Sequence, residues 1–157
     1  MLLSLLSRSK KPEIRCVNVY ASSQCFIIAA MHQNFAGIYY EQSEPVLIQG
    51  KPSAEELGST FRNAFDEFSI KDVNLRETKR SDWPSFKASY LRTPKEFERS
   101  FRLIHCVSGD ASNAVVRASI THPTHPDIEL STSFNPLSTP KDIGASLLLL
   151  VEVADAN

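Results

Sequence analysis

Ser53-Ala54-Glu55-Glu56-Leu57-Gly58 and, 86 residues later, Thr139-Pro140-Lys141-Asp142-Ile143-Gly144 share one pattern, and its reading decides the fold. A hydroxyl residue precedes an acid by three positions; a branched aliphatic and a glycine follow. The hydroxyl can accept from an early helical N–H, and the acid can reach back to the first, so donors without an intrahelical partner are satisfied. The acid also lies at the positive end of the helix dipole. Each copy therefore opens a helix. Glycine costs about 1 kcal/mol in a helix interior relative to alanine. Two glycines at equivalent places in a first turn predict close approach to something flat, most simply a sheet or a neighbouring backbone. The pattern announces a scaffold, not a reaction centre.

Outward from these openings, Leu57, Phe61, Ala64, Phe65 and Phe68 fall at helical spacing, while Glu55, Arg62, Asp66 and Glu67 occupy the wet face. The second helix is Leu-rich on most sides from Ile143 to Val153, which predicts burial between layers or at an interface. Thr93-Pro94-Lys95-Glu96 repeats the hydroxyl, proline and acid arrangement and starts a short helix with Phe97 and Phe101 inward. Helices are expected near 53–68, 94–101 and 140–154.

Strands fill the remainder. Ile14 to Tyr20 alternates and is rich in β-branched residues; Cys25 to Ala30 is continuously apolar, as in a strand covered on both faces. Gly37 to Tyr40 and Val46 to Gln49 are short strands turned at Glu44-Pro45. Leu103 to Val107, Ala114 to Ile120 and Ile128 to Phe134 follow, parted by Ser108-Gly109-Asp110 and His122-Pro123-Thr124-His125-Pro126. Residues 69–84 read either as an edge strand near Val73 to Glu77 or as a functional loop, and Phe86 to Tyr90 as a strand or turn. The expectation is a single α+β domain over 1–157, with mainly antiparallel sheet, about three helices, two sheet-plus-helix halves and a flexible start over 1–12.

The net charge of −1 conceals three sectors: −4 over residues 41–70, +4 over 71–105 and −4 from 106 onward. Cys16, Cys25 and Cys106 are odd in number and lack a CxxC pair, so they read as buried hydrophobes in a reducing compartment. Met1 to Leu6 is too short for a secretory core, its positive residues follow rather than precede it, and no stretch approaches the ~20 apolar residues of a membrane span. A soluble, cytoplasmic protein is expected.

His122 and His125 stand three apart but lack an adjacent acid or cysteine cluster, so no metal site is expected. His105 and Cys106 are strand neighbours and point to opposite faces. No nucleophile elbow, P-loop, dinucleotide fingerprint or zincin motif is present. Asp127 and Glu129 alternate onto one strand face and, with His122 or His125, make the one hydrolase alternative. A nucleic-acid alternative rests on residues 71–102, where Lys79, Arg80, Lys87, Arg92, Lys95, Arg99 and Arg102 surround Trp83, Phe86 and Tyr90. No catalytic residue, cofactor or metal is assigned.

Lys87-Ala88-Ser89, leading into Thr93-Pro94-Lys95-Glu96-Phe97-Glu98-Arg99, then the strand Leu103 to Val107 and the terminal helix with Leu147 and Leu148, resembles one family in order and character. That family comprises the CdiI-like immunity proteins of contact-dependent growth inhibition (CDI) in Gram-negative bacteria, and the likeness runs from about Ser53 onward. The resemblance implies a small non-enzymatic protein that binds the C-terminal toxin domain of a delivered effector and blocks it. A nuclease toxin has a phosphate-attracting, basic site, which an acidic surface would seek. Glu41, Glu44, Glu55, Glu56, Asp66 and Glu67 are the expected toxin-binding residues, with Asp110, Asp127 and Glu129 a second sector.

Overall fold

The computed structural model describes residues 14–110, 112–120 and 128–156. Its centre is one eight-stranded sheet. Strands β1 (Arg15–Ala21) and β2 (Cys25–Gln33) form a hairpin, and β3 (Tyr39–Glu41) and β4 (Val46–Gln49) both pair antiparallel with β2. Pro45, which has no N–H to give a ladder, falls in the break between β3 and β4. Helix α1 (Ala54–Asp66) follows, then β5 (Ser69–Ile70), which supplies a parallel pairing at the end of β2. A 3-10 turn (Arg80–Asp82) and the short helices α2 (Pro84–Ala88) and α3 (Pro94–Ser100) lead to the meander β6 (Arg102–Ser108), β7 (Ala114–Ser119) and β8 (Glu129–Phe134), and α4 (Pro140–Asp155) ends it. The main path runs β3-β2-β1-β6-β7-β8.

The fold is α+β as the pattern predicted, and the three expected helices are present within two residues of their predicted ends. Ser53, Thr93 and Thr139 each accept from the N–H three residues on, at 3.1, 3.2 and 3.2 Å. The acids act differently from the expected reciprocal box. Glu96 takes the N–H of Arg92, one residue outside the cap, and Asp142 accepts from the Thr139 hydroxyl at 2.6 Å. Two expectations are corrected. Residues 86–90 are no strand: Pro84 at the first helical position and the inward pull on Phe86 make α2 instead. The strand of this region is not Val73 to Glu77 but β5, next to α1, and residues 71–79 are an irregular strap. The expected flexible start over 1–12 lies outside the described residues.

Burial follows the two strand patterns. β1 and β2 are buried almost throughout because layers cover both their faces, whereas β7 and β8 alternate because only one face is covered. On one side Val17, Val19, Ile28, Ile104 and Val116 meet Leu57, Phe61, Ile143 and Leu147 of α1 and α4. On the other, Tyr20 and Ile27 meet Phe86 and Phe97, with Trp83 and Phe101 packed alongside. α4 is less enclosed than its composition suggested: Leu149 on its outer side is 61% exposed.

The repeated pattern turns out to be the trace of a duplicated architecture. A shift of 87 positions carries Arg15–Ala21 onto Arg102–Ser108, so β1 superposes in sequence on β6, and the antiparallel pair Asn18↔His105 maps onto itself. The order β4-β2-β1 is mirrored by β6-β7-β8, and α1 by α4. A pseudo-twofold axis thus passes between β1 and β6 and between the two long helices. There the glycines meet backbone and not sheet. A Cβ on Gly58 would stand 1.7 Å from the carbonyl oxygen of Pro140, and one on Gly144 would stand 1.8 Å from that of Ala54. Each glycine admits the first turn of the other helix.

Candidate functional site

The expected acidic contact residues do not gather into one cluster. Glu55 and Glu56 are exposed on the first turn of α1, and Asp66 and Glu67 are exposed at its far end, about 16 Å along the axis. Asp66 makes an ion pair with Arg15 at 3.6 Å. Glu44 is exposed in the link between β3 and β4.

Glu41 has another employment. Its Oε1 accepts from the Tyr20 hydroxyl at 2.5 Å and from Asn18 Nδ2 at 3.2 Å. Its Oε2 accepts from the Ser85 N–H at 3.1 Å and the Ser85 hydroxyl at 2.6 Å. Four donors from β1 and α2 thus clamp one carboxylate on β3, which ties the α2–α3 layer to the sheet. Burial first, and the neighbouring Glu41 charge second, push the Tyr20 hydroxyl far above the usual tyrosine range, so it stays a donor. The string continues from Asn18 to His105, whose Nδ1 donates to Asn18 Oδ1 at 2.7 Å. Burial, then the Arg117 charge, hold His105 below the ordinary histidine value, while Glu129 acts in the opposite sense.

Beside this string lies a cleft of about 680 Å³ with Tyr40, Glu41 and Trp83 on one side and Lys71, Val73 and Leu75 of the strap on the other. The Tyr40 hydroxyl is shut off from solvent and makes no hydrogen bond among the described residues. At the adjoining hairpin tip, buried Asn34 accepts through Oδ1 from the N–H groups of Ala36 and Ile38 at 3.0 and 2.9 Å. That bracing presents Phe35 at 72% and Ile38 at 54% exposure. Sequence reading did not single out this tip; its Asn-Phe-Ala-Gly turn is the signal that could have found it.

His122, His125 and Asp127 lie outside the described residues, and Glu129 is exposed at the start of β8. His105 and Cys106 do face opposite ways, with Cys106 in the core and its thiol pushed up by burial. Among the described residues no three of His, Cys, Asp and Glu stand together to hold a metal ion. In the basic stretch, Arg80 pairs with Glu98, Lys87 with Asp82 at 3.5 Å and Arg102 with Asp155 at 2.9 Å. Trp83 and Phe86 pack on Phe97, at centroid distances of 4.8 and 6.2 Å, which leaves Tyr90 as the exposed aromatic of the three proposed stackers. No described helix is long and apolar enough to cross a membrane.

No protein-family model and no curated protein matches this chain. Solved structures do. A protein of unknown function from Neisseria meningitidis superposes with a TM-score of 0.72 at 14% identity, covering 92% of this chain and 98% of the other. A chain of the CdiA-CT/CdiI toxin and immunity complex from Yersinia pseudotuberculosis superposes with a TM-score of 0.65 at 10% identity, covering 89% and 97%. At such identities the likeness is one of fold. The fold is shared, and one of the chains that shares it belongs to a toxin and immunity complex.

Proposed function

We propose that this chain is an immunity protein that binds and neutralises the C-terminal toxin domain, a nuclease, of a CDI effector in the cytoplasm. The observation that carries the reading is the fold shared with a chain of a toxin and immunity complex over 97% of that chain's length. The rest is consistent in physical terms. An inhibitor needs a preorganised surface, because side chains and loops that must be ordered on binding subtract from affinity. Caps at Ser53, Thr93 and Thr139, two packed clusters and the Glu41 clamp supply that rigidity. Glu44, Glu55, Glu56, Asp66 and Glu67 reach solvent and make direct contact with a basic toxin surface; Glu41 contributes by holding α2 in place.

Co-expression with the C-terminal domain of the effector encoded just upstream, followed by co-purification and a growth assay, tests the reading. A stable complex and protection from growth arrest are expected; neither appearing would refute it. Reversal of Glu55, Glu56, Asp66 and Glu67 to lysine should slow association about tenfold or more at low salt and change dissociation little. A complex unaffected by the reversal keeps the function and moves the interface elsewhere.

A further inference from the structure

Between β5 and the 3-10 turn the chain runs for nine residues, 71–79, along one wall of the cleft. All of them are exposed except Leu75, which is half-buried. The strap's ties are few: Lys71 N–H to the Gln33 carbonyl at 2.9 Å, and Asn34 Nδ2 to the Val73 carbonyl at 3.4 Å. At its far end Lys79 N–H donates to Asp82 at 3.0 Å. A segment with so little buried apolar surface opens at lower free energy than the sheet beneath it.

One side chain holds it more specifically. His32 on β2 is 6% exposed, and both its ring nitrogens engage the strap's root: Nδ1 with the Ser69 hydroxyl at 2.9 Å and Nε2 with Lys71 Nζ at 3.4 Å. An ammonium only donates, so Nε2 must be the acceptor and Nδ1 carries the proton. This arrangement exists for the neutral ring alone. Protonation would remove the acceptor and set two cations at the same 3.4 Å. The other groups facing the ring are Glu67 at the end of α1, which favours the cation, and Tyr40 of β3, at a centroid distance of 5.7 Å. Burial first and Lys71 second outweigh Glu67 and the hydrogen bond to Ser69, both of which favour the cation, and hold His32 below the ordinary histidine value.

We propose that residues 71–79 are a strap that opens and closes the cleft, and that neutral His32, gripping Ser69 and Lys71, is its latch. The proposal goes beyond the immunity reading and does not depend on which partner the chain binds. Trp83 lines the cleft and is the single tryptophan of the chain, so its quenching by acrylamide reports opening directly. Hydrogen exchange of amides 71–79 reports it independently.

In the full-length chain near neutral pH, Lys71→Ala should raise exchange of the strap about fivefold, with the sheet amides unchanged, and increase Trp83 quenching. His32→Gln, whose amide can still accept from Lys71 and donate to Ser69, should keep the strap closed at neutral and acidic pH alike. The wild type should open once its His32 ring is seen by NMR to protonate. A strap that stays closed in Lys71→Ala overturns the proposal. So does a wild-type strap that stays closed after His32 has protonated, or exchange that rises equally through strap and sheet.

Discussion

Gly58 and Gly144 carry the sharpest consequence of any single residues in this chain. The Cβ of an alanine at either place would fall inside van der Waals distance of a backbone carbonyl that cannot rotate away. Overpacking of this kind costs about 1–3 kcal/mol and more where backbone must shift, because α1 and α4 would have to separate. Gly58→Ala and Gly144→Ala should each lower the urea midpoint strongly. Gly109→Ala, with nothing within 4 Å, should change the stability by no more than about 0.5 kcal/mol. Equal effects at Gly58 and Gly109 would sink the helix-contact account. Histidine provides a second test at this scale. Burial first holds both His32 and His105 below the ordinary value, so the unfolded chain takes up protons before the folded one does. Their contribution is fully present above the unfolded value and is lost as pH falls through the lowered folded values. Urea midpoints measured downward from about pH 7.5 should therefore decline below about pH 6.5, and the decline should be shallower in His105→Gln. A variant as steep as the wild type would count against the assignment. Neither the glycines' partner nor the occupation of Glu41 could be read in the sequence. Asn18 and His105 are 87 positions apart and Glu41 and Ser85 are 44 apart, so no local pattern records their meeting.

At the scale of elements, caps and periodicities were legible because each is a message written within one or two turns. Thr139 accepts from the Asp142 N–H, and Thr139→Ala should cost about 1 kcal/mol, measured by thermal or urea denaturation, whereas Thr139→Ser should cost little. Identical losses for alanine and serine would mean that the hydroxyl is not the stabilising group. The element that escaped reading was α2. Its five residues carry too little periodicity to compete with strand propensity, and only the aromatic cluster around Phe97 decides that Phe86 turns inward on a helix. In sequence the strap stays open between an edge strand and a loop, for a related reason. Val73 and Leu75 alternate as in an edge strand, but β5 is already paired with the end of β2, and residues 71–79 diverge from the ladder after the Lys71 N–H.

For the whole molecule, the pseudo-twofold arrangement makes the halves interdependent. β1 and β6 pair along seven residues at the middle of the sheet, and each long helix has its first turn lodged against the other's glycine. Neither half can bury its glycine-faced helix alone. Unfolding followed by far-ultraviolet circular dichroism should thus coincide with unfolding followed by Trp83 fluorescence, although Trp83 sits on the opposite side of the sheet from α1 and α4. Separate transitions would show that the α2–α3 layer is an independent cooperative unit.

The sequence by itself determined seven of the eight strands, the long helices, their openings and the α+β class. It also indicated which strands would be covered on both faces, because continuous and alternating apolar runs have different burial demands. Tertiary structure alone decided that the glycines would face each other's helices. It also engaged the half-buried Glu41 in a clamp on α2 and left a strap beside His32. The division has a physical cause. Periodicity and capping are satisfied within a few residues, whereas a hydrogen-bonded carboxylate or a backbone contact belongs to whichever distant segments the topology brings together.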